Sequence, residues 1–180
     1  VHSLLHLHES VPQNDLVQST LAPGQWTTFD WWPPLGWWPE AARDLLVPGP
    51  SASATFALPP TPASVHAARS FTAGALTAWK LAELAENMEL VISELATNAL
   101  RHGLHAAEPG WRPSVHLSLV RRGSLVTCAF TDPASAVPAL RYPGPLDPGG
   151  LGLHIVDSLS LRWGWSALAP RGKIVWAVLS

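Results

Sequence analysis

Glu94 and Asn98 stand four residues apart in "ELVISELATNALRHG", residues 89–103, a stretch otherwise patterned as an apolar helix. At about 100° per residue, Leu84, Met88, Val91, Leu95 and His102 form one stripe, with Asn98 inside it and Glu94 at its edge. Four residues of helix rise about 6 Å, so both side chains enter one volume. An unpaired buried carboxylate costs several kcal/mol, and no lysine on the stripe neutralises it. A hard divalent cation such as Mg2+ would, because it takes oxygen ligands and shares them with substrate phosphates. An amide oxygen on the metal, beside a carboxylate aimed at a reacting water or hydroxyl, is a chemically sensible pair. The competing explanation is a polar helix edge satisfied by neighbouring backbone.

Two further segments invite the same question. In "VTCAFTDP", alternation places Val126, Cys128, Phe130 and Asp132 on one face, so the apolar side of a strand ends in a carboxylate. An acceptor at the rim of an apolar slot suits an exocyclic amino group whose aromatic ring lies in the slot. An aspartate opening an Asp-Pro turn explains the residue equally well. In "LDPGGLGLHIVD", Gly149, Gly150 and Gly152 precede a helix. Glycines let backbone amides approach an anion, and a helix N-terminus adds its dipole. The pattern is neither GxxxxGK[ST] nor a GxGxxG behind a strand. Together the three segments describe a nucleotide site, with phosphate and metal chemistry from the helix, adenine at the strand end and phosphate amides at the glycine turn.

The elements that must position these groups are legible in the patterning. "SATFAL" is a short strand candidate, and "PPTPASVHAARSFTAGALTAW" opens a proline-led helix with Val65, Ala68, Phe71 or Thr72, Ala75 and Trp79 at helical spacing. The helix bearing Glu94 runs from about Glu83 to His102, with Gly103 as its stop. "SVHLSLV" and "SLVTCAFTD" alternate on both sides of a turn at Arg121 to Gly123, which predicts a hairpin with both arginines solvated. A glycine-led helix follows from residue 149, then "WGWSAL" and "KIVWAVLS" as two strands. The expected class is α+β: a two-layer sandwich, with a mixed, mostly antiparallel sheet covered by helices on one face.

Residues 1–52 differ in kind from residues 53–180. They hold five of the ten tryptophans between Trp26 and Trp38, are dense in proline and glycine, and show no period of 2 or 3.6. We expect a mostly disordered arm, a docking peptide being the functional alternative. His2, His6 and His8 have no accompanying ligand constellation. The chain of 180 residues allows one domain with a tail. A net charge of −2 gives no basic footprint for nucleic acid or anionic lipid. Cys128 is the single cysteine, which excludes an internal disulfide and suits packing. No apolar run reaches the roughly 20 residues of a spanning helix, and the N-terminal stretch lacks the pattern of a secretory signal, so a cytoplasmic location and no membrane partner are expected.

The ExxxN pair followed by "ALRHG", the aspartate ending a strand and the GxGL-type turn opening a helix resemble the N, G1 and G2 boxes of the GHKL (Bergerat) ATPase superfamily. The likeness is nearest to its anti-sigma-factor serine/threonine kinases and stand-alone ATP-binding regulatory proteins. It takes in "SVHAARSF", "RWGW" and "GKIVW" and covers residues 53–180.

The resemblance implies ATP and Mg2+ as cofactors, Glu94 as general base and Asn98 as the metal ligand. It implies Asp132 as the acceptor for the adenine amino group, and Gly150, Leu151 and Gly152 as backbone around the phosphates. Arg101 and His102 fall near the phosphates. Lys173, just before the last strand, is in range of a phosphate, although a lysine at a strand end is usually solvated. His154 suits surface or packing.

The implied activity is transfer of the γ-phosphate to a serine or threonine of a protein partner, either an anti-sigma-factor antagonist or a sigma factor, with a homodimer allowed by analogy. A non-catalytic regulator-binding module and a simple ATP hydrolase are the alternatives. Three departures stand out: "DPASA" replaces DxGxG, Gly172-Lys173-Ile174 replaces Gly-Lys-Thr, and the loop from Pro133 to Pro148 is short and proline-rich.

Overall fold

A computed structural model describes residues 49–103, 114–133, 138, 151–167 and 172–180, with the side chains of residues 102 and 103 excepted. Residues 1–48 of the expected arm, Gly149, Gly150 and most of the loop after Pro133 lie outside the described residues, whereas Ser51 and Ala52, expected in the arm, belong to the first strand.

Strand β1 spans Ser51–Leu58, so regular structure starts two residues before the expected strand. Helix α1 is Ala63–Ala78, and a short 3-10 turn at Ala82–Leu84 leads into α2, Ala85–Gly103. Strands β2, Val115–Arg122, and β3, Leu125–Asp132, form the expected hairpin. Gly123 takes φ +63 in its two-residue turn, a conformation glycine adopts without steric cost. Helix α3 is Gly152–Leu159, followed by β4, Arg162–Ala167, and β5, Lys173–Leu179.

The strands form one sheet in the order β1-β2-β3-β5-β4. All four pairings are antiparallel, so the expectation of a mixed sheet narrows to a wholly antiparallel one among the described residues. The two-layer α+β architecture is as expected. Val115, Leu117 and Leu119 of β2, Val126, Cys128 and Phe130 of β3, and Val175, Ala177 and Leu179 of β5 join the core shared with the helices. Alternation alone selects this set, because a strand turns successive side chains to opposite faces.

On α2, Met88, Val91, Ile92, Leu95, Ala96 and Ala99 are at most 2% exposed and form the seam against the sheet. The α1 stripe holds the expected residues but is centred on Ala68 and Thr72, with Leu76 added. Ala68, Thr72 and Leu76 are fully buried, while Val65, Phe71, Ala75 and Trp79 pack at the core's margin. Phe71 stacks on Phe56 of β1 with ring centroids 5.2 Å apart, which closes that edge.

The solvated hairpin arginines need one correction. Arg122 is exposed, but Arg121 donates from Nε to the Gly123 carbonyl at 2.7 Å and from its guanidinium to the Trp79 carbonyl at 2.6 Å. The second bond places a cation on a carbonyl just past the end of α1, where the helix dipole is negative. Replacing Arg121 by Met should lower stability by about 1–2 kcal/mol, seen as a lower urea midpoint at unchanged slope.

Cys128 sits on the helix face of β3 with no exposure, and burial pushes its thiol up to about 12. A buried thiol is a poor nucleophile, so native protein at pH 8 should resist alkylation and react only after denaturant is added. Rapid labelling of the folded chain would contradict this packing. Among the described residues no helix is long and apolar enough to cross a membrane.

Candidate functional site

Glu94 and Asn98 occupy successive turns of α2, both half-buried, at the edge of the seam made by Val91 and Leu95. Their position follows from helix geometry: two polar residues four apart share the edge of an otherwise apolar stripe. The structure then brings a second element to Glu94. A Cβ built on Gly152, the first residue of α3, would run into Oε2 of Glu94 and lie 3.2 Å from its carboxyl carbon. With glycine at this position the start of α3 approaches that carboxylate as it stands, whereas a side chain there would make the carboxylate move.

Hydrogen bonding in α3 begins with Ile155 N–H to the Leu151 carbonyl at 3.1 Å, which closes its first turn. Helix α3 is anchored from its far end, where Asp157 accepts a 2.8 Å bond from Trp163 Nε1 of β4. Leu151, just before α3, is 60% exposed, and His154 is half-buried. Gly152 thus lies beside Glu94 and Leu151 precedes it in the chain, whereas Gly150 is outside the described residues.

Asp132 ends β3 on the same sheet face as Phe130, as the alternation required, and is 4% exposed. Its partner was not legible in the sequence. Lys173, the first residue of β5, lies opposite Asp132 in the antiparallel register, and its Nζ is 2.7 Å from Oδ2. Lys173 is itself 4% exposed, so the expectation of a solvated lysine is corrected. A lysine left in water can have any neighbour, but one buried beside a carboxylate is held by its charge.

Gly172 makes the approach feasible. Its φ of +94 is open to glycine, and a Cβ there would stand 2.7 Å from the Asp132 carbonyl oxygen. The available signal was the demand for a counter-ion at the end of an apolar strand in a chain with two lysines.

Arg101 is exposed near the C-terminal end of α2, and His102 follows it in the helix with its side chain outside the described atoms. Among the described residues no group of three or more His, Cys, Asp or Glu side chains could hold a metal ion. The donor set at α2, one carboxylate and one amide oxygen a turn apart, fits an ion that takes most of its ligands from water and phosphate oxygens rather than from a protein cage.

The described residues thus include a carboxylate at the end of β3, a carboxylate and an amide on one edge of α2, and a glycine-started helix against that edge. A search of curated proteins finds no match. Over residues 58–179, well over half of the chain, the sequence matches the histidine kinase-like ATPase domain, and the chain therefore belongs to that ATP-binding family.

Proposed function

We propose that this chain is a regulatory protein kinase that moves the γ-phosphate of ATP to a serine or threonine hydroxyl of a protein partner, an anti-sigma-factor antagonist or a sigma factor. The observation that carries the reading is the meeting of Glu94 with Gly152. It sets a carboxylate at the start of a helix, where backbone amides and the dipole favour phosphate oxygens.

In this reading Glu94 accepts the hydroxyl proton, and Asn98 supplies an oxygen to Mg2+. Bound Mg2+ supplies charge neutralisation on the phosphates. Gly152 and Leu151 present backbone amides, Arg101 contributes positive charge at the end of α2, and His102 lies next to it. Asp132 receives the amino group of the base. Phosphoryl transfer depends mainly on positioning and charge stabilisation, so this short list of groups suffices.

Incubating the full chain with γ-labelled ATP, Mg2+ and co-purifying proteins tests the proposal. Acid-stable label on a partner, as a hydroxyl phosphoester gives, is the expected result. Acid-labile label alone, or release of free phosphate only, would overturn it.

A second reading is favoured by the Asp132–Lys173 pair. A carboxylate already held by a buried lysine is a weaker acceptor for a base, which suits a non-catalytic binding module with little ATP turnover. Calorimetric titration of the full chain with ATP and Mg2+ separates the two, since a binding module gives weak heats and no transfer.

A further inference from the structure

Helix α3 is about two turns long, and its first residue is the one that meets Glu94, so whatever fixes the helix along its axis fixes that meeting. Val156, four residues on from Gly152 and on the same side of the helix, is fully buried. Leu153 and Leu159 pack at the margin of the same core. Apolar contact of this kind holds α3 down, but it has no direction and lets a helix slide. The approach at Gly152 is closer than a methyl group would allow, so a small slide is enough to alter it.

A directional tie lies at the other end. Five residues on from Gly152, about 7.5 Å along the axis, Asp157 Oδ1 accepts a 2.8 Å hydrogen bond from Nε1 of Trp163 on β4. Trp163 is opposite Ala177 of β5, and the chain leaving α3 is tied to the same strand by Leu161 N–H on the Val178 carbonyl at 2.8 Å. Strand β5 also carries Lys173, the partner of Asp132. The place of α3 and the place of the β3 carboxylate are thereby set from one strand.

Helix energetics do not ask for an aspartate at position 157. Helix α3 has no acidic residue in its first turn, where the dipole would favour one, and carries Asp157 in its last, where the dipole opposes it. A side chain that breaks a local rule points to a demand from outside its element. Trp163 supplies one: an N–H donating to a charged acceptor makes a stronger bond than one between neutral groups, and both side chains are half-buried.

We propose that Trp163 and Asp157 are positioning residues for the nucleotide, fixing α3 along its axis so that Gly152 stays against Glu94. They act through α3 rather than on the nucleotide. The inference rests on reading the Gly152 end of α3 as the phosphate end of the site.

Trp163→Phe keeps an aromatic ring in place and deletes the donor. Titrated with ATP and Mg2+ in a calorimeter, the full chain carrying it should bind five- to tenfold more weakly than the parent. Arg121→Met is the control, since it lowers stability at β2, with β3 and β5 between it and β4, and should leave ATP affinity within twofold. Equal affinity in Trp163→Phe and the parent would overturn the inference alone. An equal loss in Arg121→Met would also overturn it, because weaker binding would then follow from general loosening. A parent chain that binds no ATP would take away the reading of the site, and this inference with it.

Should Trp163→Phe fail to fold, shown by loss of a cooperative urea transition, the acceptor decides. Asp157→Ala should bind ATP five- to tenfold more weakly, while Asp157→Asn, which keeps an acceptor oxygen, should stay within twofold of the parent. Parent-like binding by Asp157→Ala would overturn the inference. So would Asp157→Asn as weak as Asp157→Ala, since charge and not the hydrogen bond would then be at work.

Discussion

A Glu94→Gln chain should fold normally and bind ATP within a few-fold of the parent, while phosphate transfer or release falls by roughly 10²–10⁴, the usual contribution of a positioned general base. The amide keeps the shape and most of the hydrogen bonding of the carboxylate but cannot take a proton. A companion change reports on geometry alone. Gly152→Ala puts a methyl group where Glu94 Oε2 stands, so the carboxylate must turn away or α3 must retreat. Both turnover and ATP affinity should drop.

The Gly152→Ala and Glu94→Ala double variant should recover stability lost by Gly152→Ala, since contacting residues are non-additive. Urea unfolding of the four chains measures this. Additive stabilities would mean that the contact between Gly152 and Glu94 contributes nothing measurable to stability, the carboxylate swinging aside without cost. Undiminished turnover in Glu94→Gln would leave the contact intact and remove the proposed base.

Lys173→Met should destabilise the protein by about 3–5 kcal/mol, the typical cost of leaving one partner of a buried ion pair without its counter-ion. Both side chains are at most 5% exposed, so solvent does little to screen the remaining carboxylate. Adding Asp132→Asn to Lys173→Met removes the orphaned charge and should restore most of that stability.

The double variant also separates packing from recognition. If Asp132 receives the base, the stable double variant should bind ATP at least tenfold more weakly than the parent by calorimetry, because an amide accepts a weaker hydrogen bond than a carboxylate. Unchanged affinity would assign the pair a purely structural role at the end of the sheet.

What could be read from the sequence here was local periodicity. Met88, Val91 and Leu95 repeat at helical spacing, so α2 and its buried side were legible, and with them the placing of Glu94 at its edge; Asn98, expected inside the stripe, is half-buried like Glu94. Val126, Cys128, Phe130 and Asp132 alternate, so the carboxylate at the end of a buried strand face was legible too. On α1 the expected residues all face the core, but alanine and threonine permit several centres for the stripe, and the structure puts it on Ala68, Thr72 and Leu76, with Phe71 at the margin stacked on Phe56.

By itself, then, the sequence determined which residues face inward along each element, because that depends on repeats of 2.0 and 3.6 residues within a few turns of chain. Only the tertiary structure decided who meets whom across elements: Lys173 with Asp132, Arg121 with the end of α1, Gly152 with Glu94. Those meetings depend on the strand order that sets β5 between β3 and β4, and on where α3 is anchored. Neither is a periodic property of any one segment, because each is settled by which packing of the whole chain buries the most apolar surface with its charges paired.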